Sequence, residues 1–373
     1  MRIWVLTNEY AGDVIGGLGV VATNLSKALA RRDGVHVTVI CKGPKRSVTV
    51  TERPSLTVIR FPRGSRYHSY ANQTFLAEPI AGWLKRRGIP KPDVIQIHSL
   101  QCDKLAEYFK WRYGTPVIYT CHSTVAGDHG LRGWEKMAAR QERVFRIADA
   151  VTVPSEWQKS VIRRLYPDYY REIQVIRNGV SGSFRKRRRR VSRYRLLYVG
   201  RLTRNKGIAE LLRAVALLRR NHRRVRLHLV GGGSRYYSLR FKKLARQLRL
   251  TRRVRWLGKR HPLSVQRTYR NYGAVVVPSK HESFGLVALE AMASGVPLVA
   301  TRNGGLASFV HDGNAQVIAG VTPSLIASAI RRMWSDPALT AGRAEQAEAT
   351  ARAYQWADIS GQYHELFYRY RRG

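Results

Sequence analysis

Along the first 180 positions, apolar residues gather into short runs set apart by polar and turn-forming stretches. The runs over 3–6, 35–41, 56–61, 94–98, 117–120 and 150–154 are continuous, the pattern of strands buried on both faces. Between them, 19–32 and 105–113 carry apolar positions three and four apart, as amphipathic helices do. A second series follows, with strands predicted over 196–199, 225–230, 254–257, 274–277 and 298–301. Its helices are predicted over 208–221, 237–250, 263–271 and 284–294. Strand and helix alternate in both halves, which predicts an α/β protein with two doubly wound parallel sheets. The tail, 351–371, spaces Trp356, Ile359, Tyr363 and Phe367 as one helix face. No repeat at a solenoid period interrupts the series.

The boundary between the halves falls at Asn178-Gly179-Val180-Ser181-Gly182-Ser183, just before the basic run from Arg185 to Arg190. A hinge there places a ligand between the carboxyl ends of two sets of strands. The length of 373 residues and the 44% hydrophobic content suffice for two cores. No run of 18 apolar residues exists, so no membrane span is expected. Ile3-Trp4-Val5-Leu6 is too short for a signal-peptide core and reads as a strand. Cys41, Cys102 and Cys121 form an odd set without metal-ligand spacing, which predicts a reducing, cytoplasmic setting.

Charge changes the picture more than size does. The chain carries 67 basic and 24 acidic residues, a net of +43. Residues 1–180 hold 28 and 15 of these, residues 181–373 the other 39 and 9. Two readings stand side by side: a solvated, soluble surface, or a polyanionic partner such as nucleic acid, an anionic membrane or an acidic polymer.

Three turns carry candidate chemistry. Gly16-Gly17-Leu18-Gly19 opens a helix, where bare amides approach a phosphate or sugar. Val199-Gly200-Arg201-Leu202-Thr203-Arg204-Asn205-Lys206-Gly207 ends a buried strand and sets Arg201 and Lys206 on the following loop, two cations suited to a diphosphate. The third runs from Ser279 to Gly295. In it Glu282 lies on a loop, able to accept from sugar hydroxyls, and Ser283, Phe284, Gly285 and Leu286 start a helix whose amides favour an anion. Glu290 lies about two turns on, pointing back toward that helix start in apolar company, a carboxylate that needs a partner such as ribose hydroxyls. The plain alternative is a solvated basic loop, one loop Glu and one snorkelling helix Glu.

The pattern S-x2-E-x-F-G-L-V-x-L-E-A-M-A-x-G-x-P from Ser279 onward resembles the retaining glycosyltransferases of family four, of GT-B fold. The likeness extends over essentially the full chain: the opening GGLG turn, Thr120-Cys121-His122, Asn178-Gly179-Val180, Val199-Gly200-Arg201 with Lys206, Gly304-Gly305, and Tyr354-Gln355-Trp356. It implies two Rossmann-like domains facing across a cleft: an acceptor domain over 1–178 and a donor domain over 179–350. A C-terminal helix over 351–373 would return to the N-domain. It further implies a nucleoside-diphosphate sugar as donor, with Arg201 and Lys206 neutralising the leaving diphosphate. Glu290 would bind ribose, Glu282 the sugar hydroxyls, and the amides of Phe284 and Gly285 sugar and phosphate. His122 would sit beside the transferred sugar. The absence of an Asp-x-Asp motif fits metal-independent transfer, with no cofactor. Ser181 stands where the family often has an acid, and Lys280-His281 where it has smaller or apolar residues, which bears on which sugar fits.

The acceptor is left open among a glycan, a lipid-linked sugar and another polyanion. Leu76, Ile80, Trp83 and Leu84 beside Lys85-Arg86-Arg87 read either as an amphipathic patch for an anionic inner-membrane surface or as a core-facing helix with a basic end. Tyr237, Leu244 and Leu248 among basic neighbours pose the same choice. A different class of function is a nucleic-acid-binding or nucleic-acid-modifying protein on the same scaffold; the charge permits it, and no nucleic-acid-reading motif appears.

Overall fold

The computed structural model describes residues 1–14, 16–43, 47–63, 65–69, 74–125, 134–169, 171–181, 184 and 191–371. The basic run from Arg185 to Arg190, with Gly182 and Ser183, lies outside them. The chain divides into two compact units, Met1–Gly179 with Trp356–Gly373, and Val180–Gln355.

The first unit opens with β1 (Arg2–Thr7), α1 (Gly17–Leu29), β2 (His36–Gly43), β3 (Thr49–Arg53), β4 (Leu56–Pro62) and α2 (Ala77–Arg86). It continues through β5 (Val94–Ile97), α3 (Asp103–Tyr113), β6 (Val117–Thr120), α4 (Trp134–Ile147), β7 (Ala150–Val153), α5 (Glu156–Leu165) and β8 (Glu172–Val175). The sheet order is β3-β4-β2-β1-β5-β6-β7-β8. All neighbours are parallel except β3, which pairs antiparallel with β4. That edge strand departs from the expected all-parallel sheet. Thr-Val-Thr-Glu-Arg is largely exposed and has no apolar run to betray it, as suits a strand left at a solvated edge.

The second unit contains β9 (Arg195–Val199), α6 (Ile208–Leu218), β10 (Arg226–Val230), α7 (Arg235–Gln247), β11 (Val254–Gly258) and α8 (Pro262–Tyr269). Then come β12 (Ala274–Val277), α9 (Leu286–Ala293), β13 (Leu298–Ala300), β14 (Gln316–Val317), α10 (Pro323–Ser335) and α11 (Pro337–Arg352). The order is β11-β10-β9-β12-β13-β14, parallel throughout. Its order reverses between β9 and β12, and that of the first sheet between β1 and β5. Such reversals open a crevice at the strands' carboxyl ends.

The last helix, α12 (Trp356–Tyr370), belongs to the first unit and packs on α1. The expected boundary at 350/351 moves to 355/356, because Ala351 and Tyr354 are buried in the second unit's core. The interdomain boundary moves by one residue, to 179/180. In α12, Tyr363 and Phe367 are fully buried, and the Tyr363 hydroxyl lies 3.2 Å from Thr152 Oγ1 at the end of β7. Phe367→Ala is therefore expected to destabilise the first unit by about 3–5 kcal/mol, read as a lower denaturant midpoint.

Both apolar stripes face cores. Ile80 and Leu84 of α2 are buried, and Trp83 sits edge-on to Phe61 at 5.4 Å. Tyr237 and Leu244 of α7, with Leu248 just past its end, pack against the second unit's core. Neither stripe is left over for a lipid surface. Among the described residues no helix is long and apolar enough to cross a membrane. The three cysteines are free and buried.

Much of the excess charge sits at the amino ends of the second unit's strands. Arg195 opens β9 and is in register with Arg226, which opens β10. Arg219, Arg220, Arg223 and Arg224 lie between α6 and β10, and Arg249, Arg252 and Arg253 between α7 and β11. Arg219 donates to the carbonyls of Leu248 and Arg249, capping the carboxyl end of α7, where cations are favoured.

Candidate active site

In the second unit the crevice between β9 and β12 gathers most of the expected donor residues. β9 ends at Val199, and the chain turns through Gly200 with φ of 148°, a value that favours glycine. The Tyr198 hydroxyl donates to the Arg201 carbonyl at 2.9 Å, fixing the loop from beneath. Arg201 itself is exposed. A short turn over Arg204–Lys206 then delivers Lys206 to the next strand's loop.

There, Lys206 Nζ donates to Glu282 Oε1 at 2.6 Å, and Ser279 Oγ donates to the same oxygen at 2.9 Å. The Lys206 and Glu282 side chains are 19% and 17% exposed, so the pair is largely withdrawn from water yet reachable. Glu282 Oε2 takes no hydrogen bond from the described residues. Beside it, Lys280 pairs with Glu210 at 2.6 Å, and its amide donates to the Asn205 carbonyl, tying the two loops together.

Gly304 and Gly305 hold the Glu282 loop. The Gly305 amide donates to the Glu282 carbonyl at 2.7 Å. A Cβ on Gly304 would stand 2.3 Å from that carbonyl oxygen, and one on Gly305 2.1 Å from the Ser283 carbonyl oxygen, so no larger residue allows this approach.

The helix after Glu282 starts later than its sequence suggests. α9 begins at Leu286, because Gly285 is left-handed with φ of 104° and ends any right-handed run from Ser283. Phe284 is core, 3% exposed and packed on Phe309 and Tyr354. The first-turn amides are therefore those of Leu286 and Val287.

Glu290 has a protein partner, Tyr269, that no sequence pattern singles out. Tyr269 at the end of α8 donates its hydroxyl to Glu290 Oε2 at 2.6 Å. Burial pushes the Glu290 carboxyl up to about 7, and the Tyr269 hydrogen bond pulls it partly back. Glu290 Oε1 takes no hydrogen bond from the described residues. Each of the two glutamates is thus held by one oxygen.

In the first unit, the reversal between β1 and β5 assembles a second cluster. The Asn8 amide donates to Ser99 Oγ at 2.9 Å across it. The glycine turn is not open as expected: the Gly16 amide donates to Glu9 Oε2 at 3.0 Å. Gly19 permits this, since a Cβ there would lie 2.9 Å from that oxygen. One of the amides foreseen for a phosphate or sugar is thus taken by a carboxylate. Gly19 is buried against Glu9 and Val14, and Gly17 is exposed.

His122, just past β6, meets His98, just past β5. Their rings stack 5.1 Å apart, with Nδ1 of His98 2.9 Å from Nε2 of His122. Burial pushes His122 down to about 4, while burial and then the His122 charge push His98 well below its ordinary value. Both imidazoles are neutral at pH 7, one donating and the other accepting. His98, Glu9 and Tyr269 are the residues sequence reasoning missed, and Ser279 stood in the quoted motif without a role. His98 does lie at the end of a predicted strand, the one signal that points to it, and Glu9 three residues past another.

Among the described residues, no group of three or more His, Cys, Asp or Glu side chains is placed to hold a metal ion.

Comparison with known proteins follows the same division. Residues 15–183 match the model described as "Glycosyltransferase Family 4", and residues 182–354 that described as "Glycosyl transferases group 1". The chain is 30% identical over 406 aligned residues to a glycogen synthase of Mycobacterium tuberculosis, covering 100% of this chain and 96% of that protein. It is 31% identical over 387 residues to a D-inositol 3-phosphate glycosyltransferase of Corynebacterium jeikeium, covering 94% and 91%. In fold it superimposes on a sucrose-phosphate synthase from Thermosynechococcus elongatus, with a TM-score of 0.82 at 21% identity, covering 99% and 98% of the two chains. An Anabaena protein crystallised with UDP and glucose gives a TM-score of 0.78 at 20% identity, covering 99% of each.

Proposed function

The chain belongs to the family 4, group 1 glycosyltransferases of GT-B fold, and we propose that it moves a sugar from a nucleoside-diphosphate sugar to an acceptor hydroxyl, with retention and without a metal. The observation that supports the reading is the direct contact of Lys206 with Glu282, which brings a cation and a carboxylate together in one crevice. Relatives crystallised with UDP, UDP-glucose or ADP support uridine or adenosine diphosphate sugars as the first donors to try.

In this reading Arg201 and Lys206 stabilise the charge that builds on the diphosphate as its bond to the anomeric carbon breaks. Glu282 Oε2 accepts from the sugar hydroxyls, and Glu290 Oε1 from the ribose. The acceptor oxygen bonds to the anomeric carbon on the face the diphosphate leaves. Its proton passes to the departing phosphate oxygen. A neutral His122 can hydrogen-bond the transferred sugar without placing a cation beside an oxocarbenium-like centre.

Lys42 supports an anionic acceptor. It lies near the end of β2, only 5% exposed, and burial, with Arg63 and Arg140 acting in the same direction, pushes its ammonium down to about 8. Its ammonium still carries its charge at pH 7, and one relative is named for an inositol phosphate. A nucleic-acid role gains nothing from these observations.

The test is product analysis. With a screened donor and acceptor, the new linkage should keep the donor's anomeric configuration, and chelation by EDTA should leave the rate unchanged within about twofold. An inverted product, or activity restored only by a divalent ion, sinks the respective claim.

A further inference from the structure

We propose that Tyr269 is a positioning residue for the donor, holding Glu290 by Oε2 so that Oε1 alone meets the ribose hydroxyls. The inference rests on the reading of Glu290 as the ribose ligand.

The geometry is specific. Tyr269 is fully buried, the last residue of α8, and stands edge-on to Phe184 with ring centroids 5.8 Å apart. Its ring is therefore fixed by packing, and its hydroxyl reaches Glu290 across 2.6 Å. A carboxylate on a helix can swing about its side-chain torsions; one oxygen bound to an immobile phenol stops that motion. The bond also selects the ionised form, because the phenol donates and a carboxylate accepts. Burial opposes that form, and Tyr269 is the titratable side chain that acts on Glu290. Glu348 of α11 approaches Gly295, beyond the far end of α9.

Removing the hydroxyl but keeping the ring separates positioning from packing. Tyr269→Phe should melt within about 3 °C of the wild type. It should raise the donor KM about tenfold at pH 7 with kcat within about twofold, since ground-state donor contacts are lost uniformly. Without the hydrogen bond that favours the carboxylate, the acid limb of kcat/KM for the donor should move up by about one pH unit. The KM difference should then narrow toward pH 9, where the carboxylate is ionised in both proteins, but persist severalfold because the variant's carboxylate is still unheld. A KM ratio unchanged from pH 6 to pH 9 would overturn the proposal, because lost packing has no such pH dependence.

Glu290→Gln keeps the two inferences apart, using UDP or ADP binding by calorimetry. If Glu290→Gln loses nucleotide binding while Tyr269→Phe matches the wild type, the positioning role fails and the ribose reading stands. If Glu290→Gln binds nucleotide normally, the ribose reading fails and takes the positioning role with it.

Discussion

Lys206→Ala is expected to lower kcat roughly 100- to 1000-fold, the usual loss when one preorganised charge-stabilising donor is removed. The donor unit should stay folded. Lys206 and Glu282 keep access to water, at 19% and 17% exposed, and Ser279 still donates to Glu282 Oε1 after the change, so the carboxylate left behind is not stranded. The expected signature is therefore a melting temperature near that of the wild type with almost no turnover. Lys280→Ala is the control. Lys280 carries the same charge on the neighbouring loop but is paired with Glu210. Its loss should cost only a few-fold in kcat, because its ammonium meets Glu210 of α6 and not the Glu282 carboxylate. Comparable losses in both variants would mean that net charge, not position, matters, and the diphosphate assignment of Lys206 would fail. Lys206→Arg should not rescue fully, since a planar fork cannot place a point charge 2.6 Å from Glu282 Oε1 in the same space.

How far the sequence discloses this site depends on what kind of residue is asked about. Glu282, Glu290 and Lys206 announce themselves, because charged residues at a fixed interval beyond apolar strand runs are visible in one dimension. Their partners do not. Tyr269 lies 21 positions before Glu290 and reaches it only because α8 and α9 flank the same strand, β12. A tyrosine at a helix end reads as one more core aromatic. His98 and His122 meet because β5 and β6 are neighbours in register, which the order of strands in sequence does not by itself dictate. Glu9 lies seven positions before Gly16, an interval that no predicted strand or helix spans to link it to the glycine turn. The fold was legible in its buried strands and blurred at its edges. β3 and β8 are the outer strands of the first sheet, and β3 is so exposed that its residues need not be apolar. The start of α9 was misplaced for a local reason: Phe284 looks helical, and only the left-handed Gly285 shows that the turn comes first.

Glu290→Gln is expected to abolish useful donor binding and yet make the ligand-free protein more stable above neutral pH. The folded-state carboxyl titrates near 7, above its ordinary value of 4.5. The folded chain therefore holds this proton more tightly than the unfolded chain does. Stability contributed by that protonation is fully present below the ordinary value and drains away as pH rises through about 7. At pH 8 the wild type carries the full cost of an enclosed carboxylate. Allowing for the side chain's partial exposure, that cost is on the order of 1–3 kcal/mol. Glutamine keeps the shape and still accepts from Tyr269 through its carbonyl, so the variant should melt several degrees higher at pH 8 and close to the wild type at pH 4. Saturating nucleotide should reverse the order. It stabilises only a protein that binds it, by about 3 kcal/mol at a hundredfold excess over Kd. A variant that melts no higher than the wild type at pH 8 without ligand would mean that Glu290 is not destabilised by its surroundings. One that gains as much from nucleotide as the wild type would mean that Glu290 does not bind it. The two melting curves, with and without nucleotide, thus test the same carboxylate as a liability of the fold and as a ligand of the donor.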